Sequence, residues 1–342
     1  MYFARVERDS ITVKPLRPLD RPKRVTSFVV CAPRVLLAEL VTPRTNSNNG
    51  ENEIFYSENT TDKNISKNSA SSRAIPFSRM LEYVEKKPYV PRWTANQKGM
   101  QGEYITDTNK IKELDALWDK AKDYMVGIAG DLCLKGAHKQ DCNRLLEPFS
   151  WTTQILTSTN WDNFFALRCH EAAYPPFRKL ARMMYLVRLK STPILLKHGQ
   201  WHLPFVPLEK QMAFKWRPLV SGGNRHQPPD LLKHSAARCA WVSYDNHAKD
   251  GTVEAMLKTY AMLTKELPIH ASPVEHQCTP FPRSIKSKIK NRFRSNLDGW
   301  LQARKLITSE NIRNFDPPEL DYKNWEEYKD FVSEFVNQLD EF

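Results

Sequence analysis

Small hydroxyl side chains and an arginine stand close together between Ser66 and Arg73, in the order Ser-Lys-Asn-Ser-Ala-Ser-Ser-Arg. Hydroxyl groups and closely approaching backbone N–H groups can donate hydrogen bonds to an oxyanion. An arginine beside them can hold a phosphate through two parallel, charge-assisted hydrogen bonds. The segment is therefore predicted to be a loop that binds a phosphate and a sugar; the alternative is a flexible serine-rich linker.

Two further arginines lie in apolar surroundings. Arg144 stands at an apolar helix end, and Arg168 follows the aromatic run that begins at Trp161. A buried arginine needs a partner, which can be a carboxylate such as Glu147 or the phosphate of a ligand. With Arg73 these residues make three arginines in small or apolar settings, and a shared anionic ligand is the better joint explanation.

The segment His-Ala-Ser-Pro-Val-Glu-His covers His270 to His276. Histidines six residues apart across a proline do not have the spacing of a common helix-borne metal pair, so no metal is predicted. A turn that offers His270 and Ser272 as hydrogen-bond donors to a ring or a phosphate is one interpretation. The other is a capping box with Ser272 at the N-cap and Glu275 three positions later. The two are compatible.

Other recognisable sites do not occur in the sequence. The chain has no Gly-x-Gly-x-x-Gly after a strand and no P-loop, which argues against a Rossmann cofactor site and an NTPase. It also has no serine or cysteine in a nucleophile turn.

The composition is that of a soluble globular protein: 342 residues, 41% hydrophobic and 26% charged, with six scattered cysteines that we expect to be reduced. No apolar run reaches the length of a membrane span, and the N-terminus lacks a signal-peptide pattern, so a cytoplasmic location is expected. The net charge of +12 and the basic run from Arg283 to Arg294 are most simply a solvated basic face. A small anionic substrate is the next interpretation, and nucleic acid is the least favoured.

Helical and extended patterns alternate along the chain, which predicts a mixed α+β fold with a largely antiparallel sheet packed against long helices. The segment 34–40 is predicted as a helix or a strand. Gly136 is expected to cap the helix that starts near Asp107. The predicted strands are 25–32, 152–159 and 237–244. The predicted helices are 107–136, 138–148, 177–187 and 253–263, with a further one in the C-terminal tail.

The predicted domain organisation is a pair of lobes in one catalytic domain. The N-terminal lobe covers 1–210 and carries a polar, flexible insertion at 45–63. A linker loop at 211–232 leads to the C-terminal lobe, 233–310, and a helical tail follows at 311–342.

Taken together, these segments resemble the flavin-dependent thymidylate synthases, particularly the long members found in phage genomes. The similarity runs in patches from about Ala32 to Lys305. Its most specific pieces are 68–76, 143–148, 161–168, 237–276 and 299–305. The resemblance implies methylation of dUMP to dTMP with FAD, NADPH and methylenetetrahydrofolate, in a homotetramer in the cytoplasm of the host.

The resemblance also assigns roles to residues. Ser71 and Arg168 would act in catalysis. The dUMP contacts would come from Ser69, Ser71, Ser72, Arg73, Arg144 and Arg168. The flavin contacts would come from Arg44, Ser66, Asn68, His270, Ser272, Glu275 and Arg304.

The chain departs from the family pattern in several places. The Arg-His-Arg triplet of the family aligns with Thr42-Pro43-Arg44, the glutamate after Asn68 is Ser69, and the closing tyrosine is Ala74. The His-x-Ser-Pro-x-Glu-His segment lies near the C-terminus, whereas compact members place it first. An internally duplicated chain is our hypothesis for this order. A relative that delivers a hydroxymethyl group, a homologue that binds nucleotide without flavin, and a nucleic-acid-binding protein are the alternatives.

Overall fold

A five-stranded sheet organises the chain, with the strands in the order β3-β4-β2-β1-β5. Neighbouring strands are antiparallel except for the pair β1 and β5. The computed structural model describes residues 1–13, 22–40, 65–98, 102–218, 228–243, 251–265, 269–282 and 296–307. The strands are β1 (Phe3–Thr12), β2 (Arg24–Pro33), β3 (Ser66–Ser69), β4 (Trp151–Ser158) and β5 (Ile194–Leu196).

A second, two-stranded sheet is formed by β6 (Cys278–Pro280) and β7 (Trp300–Gln302), which pair antiparallel. The α-helices are α1 (Leu37–Leu40), α2 (Phe77–Lys86), α3 (Thr108–Leu134), α4 (Lys139–Leu146), α5 (Trp161–Arg168), α6 (Pro175–Leu189), α7 (Leu208–Ala213), α8 (Asp230–Ser243) and α9 (Val253–Lys265). Among the short 3-10 turns, the one at Ser272–Glu275 bears on function. The predicted α+β class with a largely antiparallel sheet is confirmed.

One face of the large sheet is apolar. Phe28, Val30 and Leu156 point to this face and are fully buried with Trp161 of α5 and Phe177 of α6. Side chains two apart in a strand point to the same face, which explains the spacing in β2. The Phe28 and Trp161 rings meet edge to face with centroids 4.8 Å apart. This aromatic core holds α5 and α6 on the sheet.

The opposite face carries polar side chains at its centre. Ser27 of β2 lies opposite Thr157 of β4, and Thr157 lies opposite Ser66 of β3. All three are fully buried. Helix α8 and the 3-10 turn Ser272–Glu275 contact β3 on this side. A buried polar face needs internal hydrogen-bond partners, and these residues supply the site described below.

The long helix α3 follows the sequence prediction closely. Asp107 caps its first turn by accepting hydrogen bonds from the backbone N–H groups of Asn109 and Lys110, at 2.8 and 3.2 Å. The helix stops before Gly136, which has φ of +88°. The Ala137 N–H then bonds back to the Leu132 carbonyl at 3.0 Å, as a left-handed helix end requires. The helices predicted near 138–148, 177–187 and 253–263 are also confirmed, as are the strands at 25–32 and 152–159.

The prediction of a strand at 237–244 is wrong, because Asp230–Ser243 is helix α8. The β-branched and aromatic residues near Val242 favoured a strand. Buried Leu232, Ala236, Cys239 and Val242, however, recur at helical spacing and form one face of the helix. The loop predicted at 211–232 is helical at both ends, since α7 runs to Ala213 and α8 begins at Asp230.

Residues from Met1 to Glu310 form one compact unit, which contains both predicted lobes. The insertion at 45–63, the basic run at 283–294 and the tail at 311–342 lie outside the described residues. All six cysteines are free thiols and four are buried, as expected. Within the described helices, none is both long enough and apolar enough to cross a bilayer.

Candidate functional site

A chain of hydrogen bonds crosses the polar face of the sheet. It runs, in order, through Ser10, His202, Ser27, Thr157, His276 and Asn68. Its donor–acceptor distances lie between 2.6 Å, for Ser27 Oγ and Thr157 Oγ1, and 2.9 Å at its two ends. Each of these side chains is buried, so each hydrogen bond replaces one that water would otherwise provide.

The chemistry of the groups fixes the direction of this chain. Asn68 Nδ2 donates to two serine hydroxyls, so its Oδ1 accepts from His276 Nε2 at 2.9 Å. In a neutral ring, His276 Nδ1 then accepts from the Thr157 hydroxyl at 2.8 Å. Thr157 has used its proton and must accept from Ser27, which in turn accepts from His202 Nε2 at 2.8 Å. All donors therefore point from Ser10 toward Asn68.

Asn68 joins three segments that are far apart in the sequence. Its Nδ2 donates to Ser243 Oγ of α8 at 3.2 Å and to Ser272 Oγ at 3.3 Å. The Ser71 N–H also bonds to the Ser243 carbonyl at 3.0 Å. The predicted phosphate loop and the His270–His276 segment are thus brought together with the end of α8.

The region from Asn296 to Arg304 completes this cluster. Asn296 Nδ2 donates to Ser66 Oγ at 3.0 Å, and Gln302 Nε2 donates to the Glu275 carbonyl at 2.6 Å. Arg304 Nη1 forms an ion pair with Glu275 Oε1 at 2.6 Å. The structure therefore gathers five of the seven residues that the family resemblance assigned to flavin: Ser66, Asn68, Ser272, Glu275 and Arg304.

These residues do not fit a flavin in this arrangement. Ser66, Asn68 and Glu275 are at most 5% exposed, and their hydrogen bonds join parts of the protein to one another. His270 is exposed and Ser272 is half-buried, so these two can still reach a ligand. Arg44 lies outside the described residues. We therefore derive no chemical step through a flavin.

Two sequence interpretations are corrected here. Ser66–Ser69 is not a loop but edge strand β3, whose backbone pairs with β4 and whose serine and asparagine side chains have buried partners. The capping box at Ser272 is wrong as well. Ser272 begins a 3-10 turn without a side-chain cap, its hydroxyl accepts from Asn68, and Glu275 binds Arg304.

A second polar centre lies where the loop after β3 meets α4. Asn143 Nδ2 donates to the carbonyls of Ser72 and Ile75, at 2.8 and 3.0 Å. Below the loop, the guanidinium of Arg34 donates to the Ala70 carbonyl and to Ser72 Oγ, both at 2.9 Å. These bonds fix the loop 71–75 against α4, which is what an anion site made of loop groups requires.

Positive charges outnumber negative ones at this second polar centre. Glu147 forms an ion pair with buried Arg34 at 3.1 Å and also hydrogen-bonds to Ser72. Arg73 and Arg144 flank the contact made by Asn143 and are exposed. Neither has an ion pair with any residue that the structure describes. Two exposed arginines therefore adjoin in sequence the two residues of this contact, Ser72 and Asn143, while the carboxylate of Glu147 is already neutralised.

The other residues predicted to bind substrate have different surroundings. Ser69 is half-buried at the end of β3, and the Ser72 side chain is buried among Arg34 and Glu147. Arg168 ends α5, and its guanidinium lies over the Phe177 ring at 4.9 Å from the centroid. This cation–π contact accounts for an arginine in an aromatic setting without a ligand.

Sequence reasoning missed Arg34 and the residues at the centre of the hydrogen-bond chain. Arg34 is 7% exposed and supports the loop from below. The signal for such residues is a polar side chain directly beside large apolar ones, as with Ser27 before Phe28 in β2 and Thr157 after Leu156 in β4. His202, between Trp201 and Leu203, is a third case. None of these stands near the motifs in sequence.

Among the residues that the structure describes, no group of three His, Cys, Asp or Glu side chains is placed to hold a metal ion. His276 instead has both ring nitrogens in hydrogen bonds to Thr157 and Asn68.

Comparison with known proteins gives little guidance. No family model and no curated protein matches the sequence. Among solved structures, the chain is similar to a UMP/dUMP methylase, PolB from Streptomyces cacaoi, bound with 5-Br UMP. The match has a TM-score of 0.41 and 13% sequence identity, and covers 57% of this chain and 90% of that one. At this TM-score it carries no functional conclusion.

Replacing Thr157 by valine keeps the shape of the side chain and removes its hydroxyl. His276 Nδ1 then loses its donor and Ser27 loses its acceptor, and each orphaned buried group costs about 1–3 kcal/mol. We expect urea unfolding to show T157V destabilised well beyond T157S, which keeps the hydroxyl and loses one methyl group worth about 1 kcal/mol. Equal losses in the two variants would show that the hydroxyl is not a link in the chain.

The stability of the protein should depend on pH through His202. Burial lowers the pKa of His202 well below the ordinary histidine value, and Arg8 and His276 act in the same direction. The unfolded chain therefore binds a proton that the folded chain does not, so this contribution is complete above about pH 6.5 and is lost as pH falls.

We expect the free energy of unfolding to fall between pH 7 and pH 5, with His202 contributing up to about 1.4 kcal/mol per pH unit. Urea unfolding of H202Q across this range should give a correspondingly flatter slope, whatever its absolute stability. Parallel slopes for the two proteins would contradict the assignment.

Proposed function

We propose that the protein binds dUMP, with the 5′-phosphate held at the loop 71–75, and modifies the pyrimidine at C5. The observation that carries the proposal is the contact of Asn143 with the Ser72 and Ile75 carbonyls, which fixes the loop that carries exposed Arg73 against the helix that carries exposed Arg144. Because Arg34 neutralises Glu147, the positive charge of the two outer arginines is left for a ligand.

The chemistry of this edge suits a phosphate monoester. Each guanidinium can donate two parallel hydrogen bonds to phosphate oxygens, and the Ser71 hydroxyl can add another. Partial exposure lets a soluble nucleotide enter without moving the core. The rigid support from Arg34 and Asn143 reduces the ordering cost of binding.

The pyrimidine and sugar would extend toward the turn that carries His270 and Ser272. This direction is supported by the bond between Ser71 N–H and the Ser243 carbonyl, because Ser243 and Ser272 share Asn68 as a donor. Exposed His270 and half-buried Ser272 can then hydrogen-bond to the ring. Ser71 would lie between the phosphate of the ligand and its sugar and pyrimidine. The role of Arg168 in catalysis and dUMP binding stays a prediction from the family resemblance.

The finer proposal follows from the resemblance stated above. By that resemblance, methylenetetrahydrofolate would donate one carbon to C5 of dUMP and NADPH would supply the reducing equivalents. FAD would have to bind through groups other than buried Ser66, Asn68 and Glu275. Such chemistry needs no covalent protein nucleophile, so the role of the chain is to position the substrate and stabilise charge. A homotetramer and a cytoplasmic location belong to the same proposal.

A nucleotide-binding protein without flavin is the second candidate. It is favoured by the internal hydrogen bonds of Ser66 and Asn68, which occupy groups expected to contact the cofactor. In this case dUMP would bind at the same arginines and no one-carbon transfer would follow.

The double substitution R73Q/R144Q should weaken dUMP binding at least tenfold, because hydrogen bonds to charged groups contribute about 1.5–3 kcal/mol each. Isothermal titration calorimetry measures the affinity. K112Q/K120Q is the matched control, since it removes two exposed cations from α3 and should leave dUMP binding unchanged. Equal dUMP affinity in the wild type and R73Q/R144Q would exclude this edge as the phosphate site.

Release of tritium from 5-tritiated dUMP separates the two candidates. Release that requires flavin, methylenetetrahydrofolate and NADPH supports the enzyme. Binding of dUMP without release under any combination of these supports the second candidate. Absence of dUMP binding would contradict both.

A further inference from the structure

A basic pocket lies at the end of β5, formed by the turn after this strand and by residues 215–217. Its volume is about 340 Å³, which is at the lower end of the range of about 300–1,000 Å³ typical of small-molecule sites. Lys197, Lys215 and Arg217 supply three cations to the lining, together with His198, and none of the lining residues that the structure describes is a carboxylate.

Backbone hydrogen bonds build the floor of the pocket. The Gln200 N–H donates to the Lys197 carbonyl at 2.9 Å, and the Gln200 side chain accepts from the Lys197 N–H at 2.9 Å. The Gly199 N–H donates to Thr279 Oγ1 at 2.9 Å, and the Gly199 carbonyl accepts from Trp216 N–H at 2.8 Å. The turn is therefore tied to β6 on one side and to the 215–217 segment on the other.

Because Gly199 has no side chain, Arg217 can pack closely against the turn 197–200. Its φ is +87°, and a Cβ at this position would lie 2.6 Å from Arg217 Cγ. Any other residue would be strained and would push the arginine stem away. The aliphatic part of Arg217 packs over Gly199, and its guanidinium borders the pocket.

His198 can offer a further donor when its ring is protonated. Its Nδ1 lies 2.9 Å from the Pro280 carbonyl, which can only accept, so Nδ1 carries a proton and Nε2 is left for other contacts. Burial lowers the pKa of His198, and Arg217 adds to this effect against the bond to Pro280. A bound anion would favour the protonated ring and gain a fourth positive group.

The pocket is separate from the proposed dUMP site. The loop 71–75 follows β3 at one edge of the sheet, whereas the pocket follows β5 at the opposite edge. Four strand spacings of about 4.8 Å place the two edges roughly 19 Å apart. One phosphate monoester cannot use both sites at once.

We propose that this pocket binds a small molecule carrying a polyphosphate, such as a nucleoside triphosphate. Three cations, with no carboxylate among the described lining residues, match several negative charges better than they match one. Lysines act as point charges, and the arginine adds bidentate geometry to a phosphate oxygen pair. The proposal stands independently of the function proposed above.

The test uses the full chain and calorimetric titration with inorganic tripolyphosphate and with ATP, at low and at physiological ionic strength. We expect saturable binding of one tripolyphosphate per pocket, and at least tenfold weaker binding in K215Q/R217Q. K112Q/K120Q removes the same net charge, and R73Q/R144Q alters the proposed dUMP site. Both should bind tripolyphosphate as the wild type does.

Three results would overturn the proposal. The first is no binding of either polyphosphate, and the second is an equal loss in K112Q/K120Q, which would reduce the effect to overall charge. The third is binding of a single-stranded oligonucleotide that depends on Lys215 and Arg217 while tripolyphosphate does not bind. That outcome would assign the pocket to nucleic acid instead. Loss of dUMP binding in R73Q/R144Q is a separate readout and does not affect these outcomes.

Discussion

The hydrogen-bond chain from Ser10 to Asn68 is the constraint on which the rest of this structure depends. It links four strands of the sheet through His202, Thr157 and His276, and ends at the side chain that joins β3 to α8 and to the Ser272 turn. Only one direction of hydrogen-bond donation along the chain, from Ser10 toward Asn68, gives every side chain a partner. A buried group left without its partner is costly, so the strands and the turn have one register in which all are satisfied.

The two edges of the sheet are stabilised differently from its centre. At the β3 edge, the ion pair of Arg34 with Glu147 and the amide of Asn143 hold the loop 71–75 against α4. Exposed Arg73 belongs to this loop, and exposed Arg144 belongs to α4. At the β5 edge, backbone bonds around Gly199 present other cations. In both places most of the buried polar groups that hold the backbone are paired inside the protein, and exposed cations face solvent. The protein thus separates the groups that support its fold from those free to bind ligands.

The sequence predicts local elements well and the pairing of distant polar residues poorly. The helix with Asp107 at its cap and Gly136 at its end follows from local hydrogen bonds. Strand β2 follows from the β-branched and aromatic residues of 25–32. The interpretation of α8 as a strand failed because tertiary packing decides the state of a short apolar run. Ser66–Ser69 was predicted as a loop because its polar side chains suggest solvent, although their partners come from Asn296 and His276. Such partners are more than 200 residues away along the chain, so spacing carries no signal for them.

Hydrogen–deuterium exchange with and without dUMP tests the central claim most directly. If the nucleotide binds at the loop held by Asn143 and extends toward the Ser272 turn, amides of residues 71–75 and 269–276 should gain protection on binding. The turn 197–200 at the other edge of the sheet should exchange at an unchanged rate. Protection confined to 197–200, or no change in 71–75 at saturating dUMP, would contradict the placement of the nucleotide site.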